Sequence, residues 1–318
     1  MTLAYALQGA IESGLIYAIM ALGVYLTFRI LDFPDLTVDS SFTTGGAVAA
    51  VLIVQGVNPI FASLAALLAG MLAGVCTGLI HTKGKINKLL SGIIMMIALY
   101  SINLRIMGQR PNIPLLGQEA NLITWMKNWL PTKFSLILSM AVVLIVIKLF
   151  IDWFLKTEIG LAIRATGDNP RMIRSFGVHT DNTIILGLAL SNGLVALSGS
   201  LIAQQQGFSD AAMGIGMIVI GLASVIIGES LFGTRSLVWT TAAVIGGAIV
   251  YRIVIAMAMR IPGFEASDLR LLTAIIVIIA LTAPLYSDVF KKRFSAQKTS
   301  HEGSSIVKTR SWNKKEGA

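Results

Sequence analysis

Lys156–Asn182, KTEIGLAIRATGDNPRMIRSFGVHTDN, is a polar island in an oily chain. It carries Lys156, Arg164, Arg171 and Arg174 and separates two long apolar runs. It also contains the ends of a short helix. Asp168 or Asn169 can accept from the free N–H groups of a first turn, and Pro170 suits the first helical position, where no N–H is needed. Arg171 to Phe176 then make little more than one turn, and Gly177 can take the left-handed conformation that closes it. An isolated helix of that length is marginal in water, so a membrane surface or another protein must support it. The plain alternative is a solvated loop with capped turns. The surrounding chain decides between them.

Of 318 residues, 55% are hydrophobic and 13% charged, against about 25% charged in soluble domains. The mean hydropathy is +0.78. The apolar residues fall into blocks long enough to cross a bilayer, which takes about 20 residues each. Nine such blocks are read, roughly Tyr5–Phe28, Val38–Gln55, Ile60–Ile80, Leu89–Met107, Phe134–Phe154, Thr183–Ala203, Gly214–Leu231, Leu237–Met257 and Leu269–Leu285. The expected fold is therefore all-α: a polytopic membrane bundle of about nine (8–10) transmembrane helices spanning 1–290, with a basic, disordered tail over 291–318. The formal net charge of +9 does not point to nucleic acid, because the tail alone carries eight Lys/Arg and two Glu. Cys76 is the sole cysteine, which excludes an intrachain disulfide. The first apolar run lacks a basic leader and reads as a span, not a cleaved signal.

Loop charge sets the orientation. With the C-terminus inside, the inner face receives Arg29, Lys83, Lys85, Lys88, the four cations of the central stretch, Arg235 and the tail. The outer face receives Arg105, Arg110, Lys127, Lys133, Arg260 and Arg270. The expectation is a multi-pass membrane protein with its N-terminus outside and its C-terminus cytoplasmic. In the long outer loop Gly108–Lys133, Pro111 and Pro114 break regular structure, while Trp125, Trp129 and Leu130 are spaced for one face of an interfacial helix. Gly70, Gly74 and Gly78 form a small-residue stripe suited to close helix packing. A Gly-rich or polar-start span precedes a small-residue span at 38–80 and again at 214–257, in opposite directions, as in an inverted repeat.

No catalytic set is present. His81, His179 and His301 show no paired metal spacing, and Gly78–Ile86 departs from a nucleotide loop in its glycine spacing and lacks the Ser/Thr after its lysine. Polar groups inside spans are costly and usually face a bundle interior or a wet cavity. Two clusters are candidates for lining or gating a solute path. One is Gln8, Glu12 and Ser13 in the first span. The other is Asp32, Asp35, Asp39, Ser40, Ser41, Thr43 and Thr44, where Pro34 breaks the helix. Asp35 or Thr37 can cap the new helix, with Asp39 a turn inside it. Asn103, Asn192 and Gln204–Gln206 are further candidates.

These residues resemble a known family. Gly160, Arg164, Ala165, Asn169, Gly177 and Val178 match the coupling segment of ABC importer permeases of the branched-chain amino acid and ribose type, with the bulky Ile173 near a position that is small in the family. FPDLTVDSSFTTGGAVAA (33–50) is similar to its second-span segment, and the chain most resembles the tryptophan/tyrosine permease subgroup. The resemblance covers about Gly14 to Pro284. It implies a permease subunit, not an enzyme, with no cofactor of its own. ATP and magnesium would sit on a cytoplasmic ABC ATPase, and an extracytoplasmic binding protein would deliver the solute, an amino acid. A second permease copy, identical rather than different, would complete the pathway in the lipid bilayer. Asn169, Pro170, Arg171, Met172, Ile173, Arg174, Phe176 and Gly177, with Arg164, would then contact the ATPase: the arginines its carboxylates or carbonyls, the apolar side chains its groove. An ion-coupled secondary transporter or channel, using the intramembrane carboxylates as ion sites, is the competing expectation.

Overall fold

The computed structural model describes residues 3–115, 135–260, 271–276, 278 and 282. The expected interfacial helix at Trp125–Leu130 and the basic tail lie outside the described residues, as does most of the expected ninth span. The chain divides into two units, 1–273 and 274–318.

The first unit is built of the helices α1 (Leu3–Tyr25), α2 (Thr37–Val54), α3 (Pro59–Thr82), α4 (Lys88–Ile106), α5 (Ser135–Phe154), α6 (Glu158–Asp168), α7 (Pro170–Ser175), α8 (Thr180–Gln206), α9 (Met217–Phe232) and α10 (Leu237–Ala258). Among the described residues seven are long and apolar enough to cross a membrane; α1 continues through a wider π-type turn, Leu26–Ile30. The expected span Gly214–Leu231 is corrected. Helix begins only at Met217, and α9 has 16 residues, about 24 Å, short of a bilayer core of about 30 Å. Two three-residue strands, β1 (Asn112–Pro114) and β2 (Phe208–Asp210), pair antiparallel with Ile113 opposite Ser209.

Helix starts follow local chemistry. Asn58 accepts from Ile60 N–H at 2.9 Å with Pro59 behind it, and Asn87 accepts from Leu89 N–H at 3.0 Å. Each supplies an acceptor to the orphan donors of a first turn. Between α1 and α2 the backbone reverses through Asp32, whose φ is +49°, and the Lys88 ammonium donates to the Asp32 carbonyl at 2.7 Å.

The longest helix, α8, is the central post, with α1, α2 and α3 packed along it. Its hydroxyls set the register with α1: Ser191 donates to Gly23 O at 2.6 Å and Ser198 to Ile16 O at 2.8 Å. The glycine stripe of α3 meets α8 backbone to backbone. A Cβ on Gly74 would stand 2.2 Å from Leu188 O, so only glycine permits this approach. Outward-facing Phe61, Leu68 and Leu72 are more than half exposed, the inverse of a soluble surface and the natural one for lipid contact.

Gly74→Val is expected to lower the stability of the detergent-purified protein by about 1–3 kcal/mol or more, the usual cost of overpacking. Gly9→Ala, whose Cβ meets nothing within 4 Å, should leave it unchanged or slightly raised. Thermal unfolding of the two variants checks this; equal melting points would refute the close-packed seam.

Candidate functional site

The polar stretch folds as two helices, not one. Thr157 opens α6 by accepting from Gly160 N–H at 3.3 Å. Gly167 packs against Ile30, and the Thr166 and Thr183 hydroxyls share a 2.9 Å hydrogen bond. These contacts fix α6 to α8 and to the end of the first span. Arg164 sits half-buried on α6, apart from the short helix.

Beyond it, Asn169 caps α7, its Oδ1 accepting from Arg171 N–H and Met172 N–H, both at 3.1 Å. Asp168 instead ends α6. Pro170 stands at the first helical position, as its missing N–H favours. Gly177, at φ +82°, closes the helix and turns the chain back, a conformation that costs a side-chain-bearing residue about 1 kcal/mol or more. α7 buries no residue. Met172 is 50% and Phe176 74% exposed, Arg171 is exposed and Ile173 half-buried. Arg174 is braced inward: its Nε donates to Thr180 Oγ1 at 2.6 Å, and Asp181 lies 4.0 Å from its Nη2 and 3.9 Å from the Lys83 ammonium. The brace borders a polar cleft of about 820 Å³ walled by Thr82, Lys83, Lys85 and residues 177–182.

The second candidate region is in the interior. Asp35 and Ser41 are wholly buried and Ser40 nearly so; Asp39 is half-buried. Asn192 joins two of them, donating to Asp35 Oδ2 at 2.7 Å while its Oδ1 accepts from Ser41 Oγ at 2.7 Å. Asp35 Oδ1 also accepts from Thr37 N–H at 2.9 Å. Ser40 donates to Met96 O at 2.8 Å, and the Thr44 hydroxyl reaches Asn103 Oδ1 at 2.8 Å.

Asp39 lies in the first turn of α2, not a turn further in. It caps a different helix. Its Oδ2 accepts from Gly216 N–H at 2.9 Å and its Oδ1 from Ile218 N–H at 2.8 Å, where α9 begins inside the bundle. Glu12, half-buried on α1, accepts from Gln8 Nε2 at 3.0 Å and shares no hydrogen bond or ion pair with the α2 group.

Two charged pairs escaped the sequence reading. Lys148 pairs with Asp152, which also accepts from Thr241 Oγ1 at 2.7 Å. Arg29 pairs with Glu229 at 3.0 Å. The first was detectable, because Lys and Asp four apart in an apolar run share one helix face. The second joins residues 200 positions apart and left no local trace.

Membrane-length helices around a hydrogen-bonded interior define a multi-pass membrane helix bundle. A family model described as branched-chain amino acid transport system, permease component, matches residues 6–282. The chain belongs to this family and is the permease component of an ABC-type importer, which decides against the ion-coupled carrier. It is 46% identical over 267 residues to the tyrosine transport system permease protein of Clostridioides difficile (strain R20291), covering 84% of this chain and 87% of that one. It is 27% identical over 221 residues to the ribose import permease protein RbsC of Escherichia coli (strain K12), covering 69% and 67%. The solved structure of PsaBC from Streptococcus pneumoniae in complex with Fab matches with a TM-score of 0.50 at 15% identity, over 86% of this chain and 90% of that one. That likeness concerns the fold alone.

Asp39→Asn keeps an acceptor for one of the two N–H groups and sets an amide NH2 against the other. It is expected to cost about 1–3 kcal/mol, as for a buried donor left unsatisfied, and to expose the first amides of α9. Hydrogen exchange over 216–220 reads this directly; unchanged protection there would show that the cap is dispensable.

Proposed function

We propose that this chain carries an amino acid, aromatic in character, into a bacterial cell. Energy would come from ATP and magnesium on a separate cytoplasmic ABC ATPase, and an extracytoplasmic binding protein would supply the solute. The choice of amino acid rests on the tyrosine permease relative. Two copies of the chain would form the pathway, with N-termini outside and C-termini in the cytoplasm. No nucleic-acid partner and no cofactor of its own enter this reading.

The observation that carries the mechanism is the stiff, doubly capped α7. It offers Arg171, Met172 and Phe176 outward and is fixed to the bundle through α6 and the Arg174 brace. A rod held at its base and bare at its tip transmits a push as rigid-body motion. In the proposed complex its apolar tip fills a groove in the ATPase, and Arg171 pairs with a carboxylate or carbonyl beside it. Arg174 has a second task, because its bond to Thr180 carries the motion into the first turn of α8.

Within the bundle, Asp35, Asp39, Ser40 and Ser41 act as a gate, not as a wall of the path. Their hydrogen bonds tie α2 to α8, α4 and α9, so moving α8 strains all of them together. Glu12, outside this network, remains the carboxylate placed to meet a solute ammonium.

In proteoliposomes holding permease, ATPase and binding protein, Arg171→Glu with Arg174→Glu should cut ATP-driven uptake to under about a tenth. ATPase co-purification should be lost while the permease inserts at normal abundance. Arg171→Glu alone, which spares the Thr180 bond, should weaken co-purification as well. Near-normal uptake by the double variant would reject the coupling role.

A further inference from the structure

Most charges in this bundle are answered. Lys148 has Asp152, Arg29 has Glu229, and Asp39 has two backbone N–H groups. Arg252 on α10 has no such answer. Its Nε is buried without a hydrogen-bond partner, and no carboxylate stands within ion-pair distance of it among the described residues.

What the guanidinium does touch is aromatic. Its central carbon lies 3.6 Å from the centroid of the Tyr17 ring, and that ring stacks on Phe42 with centroids 6.0 Å apart and planes 11° from parallel. Cation and rings from α10, α1 and α2 thus form one pile, in which Tyr17 is 3% and Phe42 0% exposed. Arg252 itself is half-buried, and a cation–π contact returns only part of what a charge without a carboxylate partner costs inside a membrane.

Reaching for the membrane surface does not explain the placement. Arg252 precedes the end of α10 at Ala258 by six residues, but helical side chains lean toward the N-terminus. This one therefore leans away from the nearer end and over a buried ring. A flat guanidinium, held in plane by an aromatic face and with donors left over, suits two parallel bonds from a carboxylate.

We propose that Arg252 is an intramembrane site for the carboxylate of the carried solute, with the Tyr17 ring holding the guanidinium plane. The proposal rests on the reading of the chain as an amino-acid permease. A lipid phosphate shares the oxyanion chemistry; the inward lean and the buried pile favour the solute.

The test uses the full-length permease in phosphatidylcholine nanodiscs, without ATPase, and follows thermal unfolding against three probes. L-tyrosine carries amine and carboxylate, 3-(4-hydroxyphenyl)propanoate only the carboxylate, and tyramine only the amine. The two carboxylates should raise the melting point saturably and tyramine should not. Arg252→Gln should raise the half-saturating concentration of the carboxylates about tenfold or more, the loss of one charge-assisted contact. Arg252→Lys should recover part of it, and Tyr17→Phe, which keeps the ring, should respond as wild type.

Equal stabilisation by tyramine, no response to either carboxylate, or a response unchanged by Arg252→Gln would each overturn the proposal. So would a lower probe-free melting point of Arg252→Gln as the sole effect, the mark of a structural clamp. A repeat with phosphatidylglycerol separates the lipid: Arg252-dependent stabilisation by that lipid without any carboxylate response would make this a lipid contact. Failure of ATP-driven uptake with the carboxylate series intact would count against the proposed function alone; the reverse would count against Arg252 alone.

Discussion

Inside a bilayer every backbone N–H must find its acceptor within the protein, because no water is there to provide one. That constraint explains how the short helix α9 is held. α9 starts within the bundle instead of at its edge, which leaves the donors of a first turn without partners. The Asp39 carboxylate takes Gly216 and Ile218, and the Thr43 hydroxyl takes Gly214 N–H at 3.1 Å. A charge that would be costly alone becomes favourable at the positive end of a helix. The broken segment can exist only because α2 reaches across to it.

The same economy governs the rest of the interior. Asn192 uses its amide twice, as donor to Asp35 and acceptor from Ser41, and so satisfies α2 from α8. The α3–α8 seam is made close by glycines, leaving the lipid-facing leucines free of any packing duty. Such an interior is cross-linked by specific hydrogen bonds. Interlocked hydrogen bonds of this kind favour movement of whole helices over local flexing, as the proposed mechanism requires. The surface helix is the opposite case: its backbone is capped by Asn169 and Gly177, while its apolar tip is left exposed.

Much of this was legible in the sequence. Length and hydropathy placed the long spans within a few residues, because a bilayer imposes one scale on all of them. The start and stop of α7 were readable because Asn-Pro and a following Gly act locally. α6 was missed because its short, amphipathic pattern resembles a polar loop. The late start of α9 was missed because hydropathy counts Ala212–Gly216 as apolar, although its glycines favour turns. Which helix Asp39 caps could not be read at all: its partners lie 177 and 179 residues away, and only the packed bundle brings them together. The β1–β2 pairing, equally remote in sequence, escaped for the same reason.

The central claim is that α7 meets a cytoplasmic ATPase and takes its motion into the bundle. The most direct measurement is site-specific cross-linking in cells. With Cys76, the sole cysteine, changed to serine, Met172→Cys provides a single thiol at the exposed tip of α7. The account predicts a cross-link to the co-expressed ATPase and no reaction with a membrane-impermeant thiol reagent added to intact cells. Ready labelling from outside, with no ATPase adduct, would contradict it.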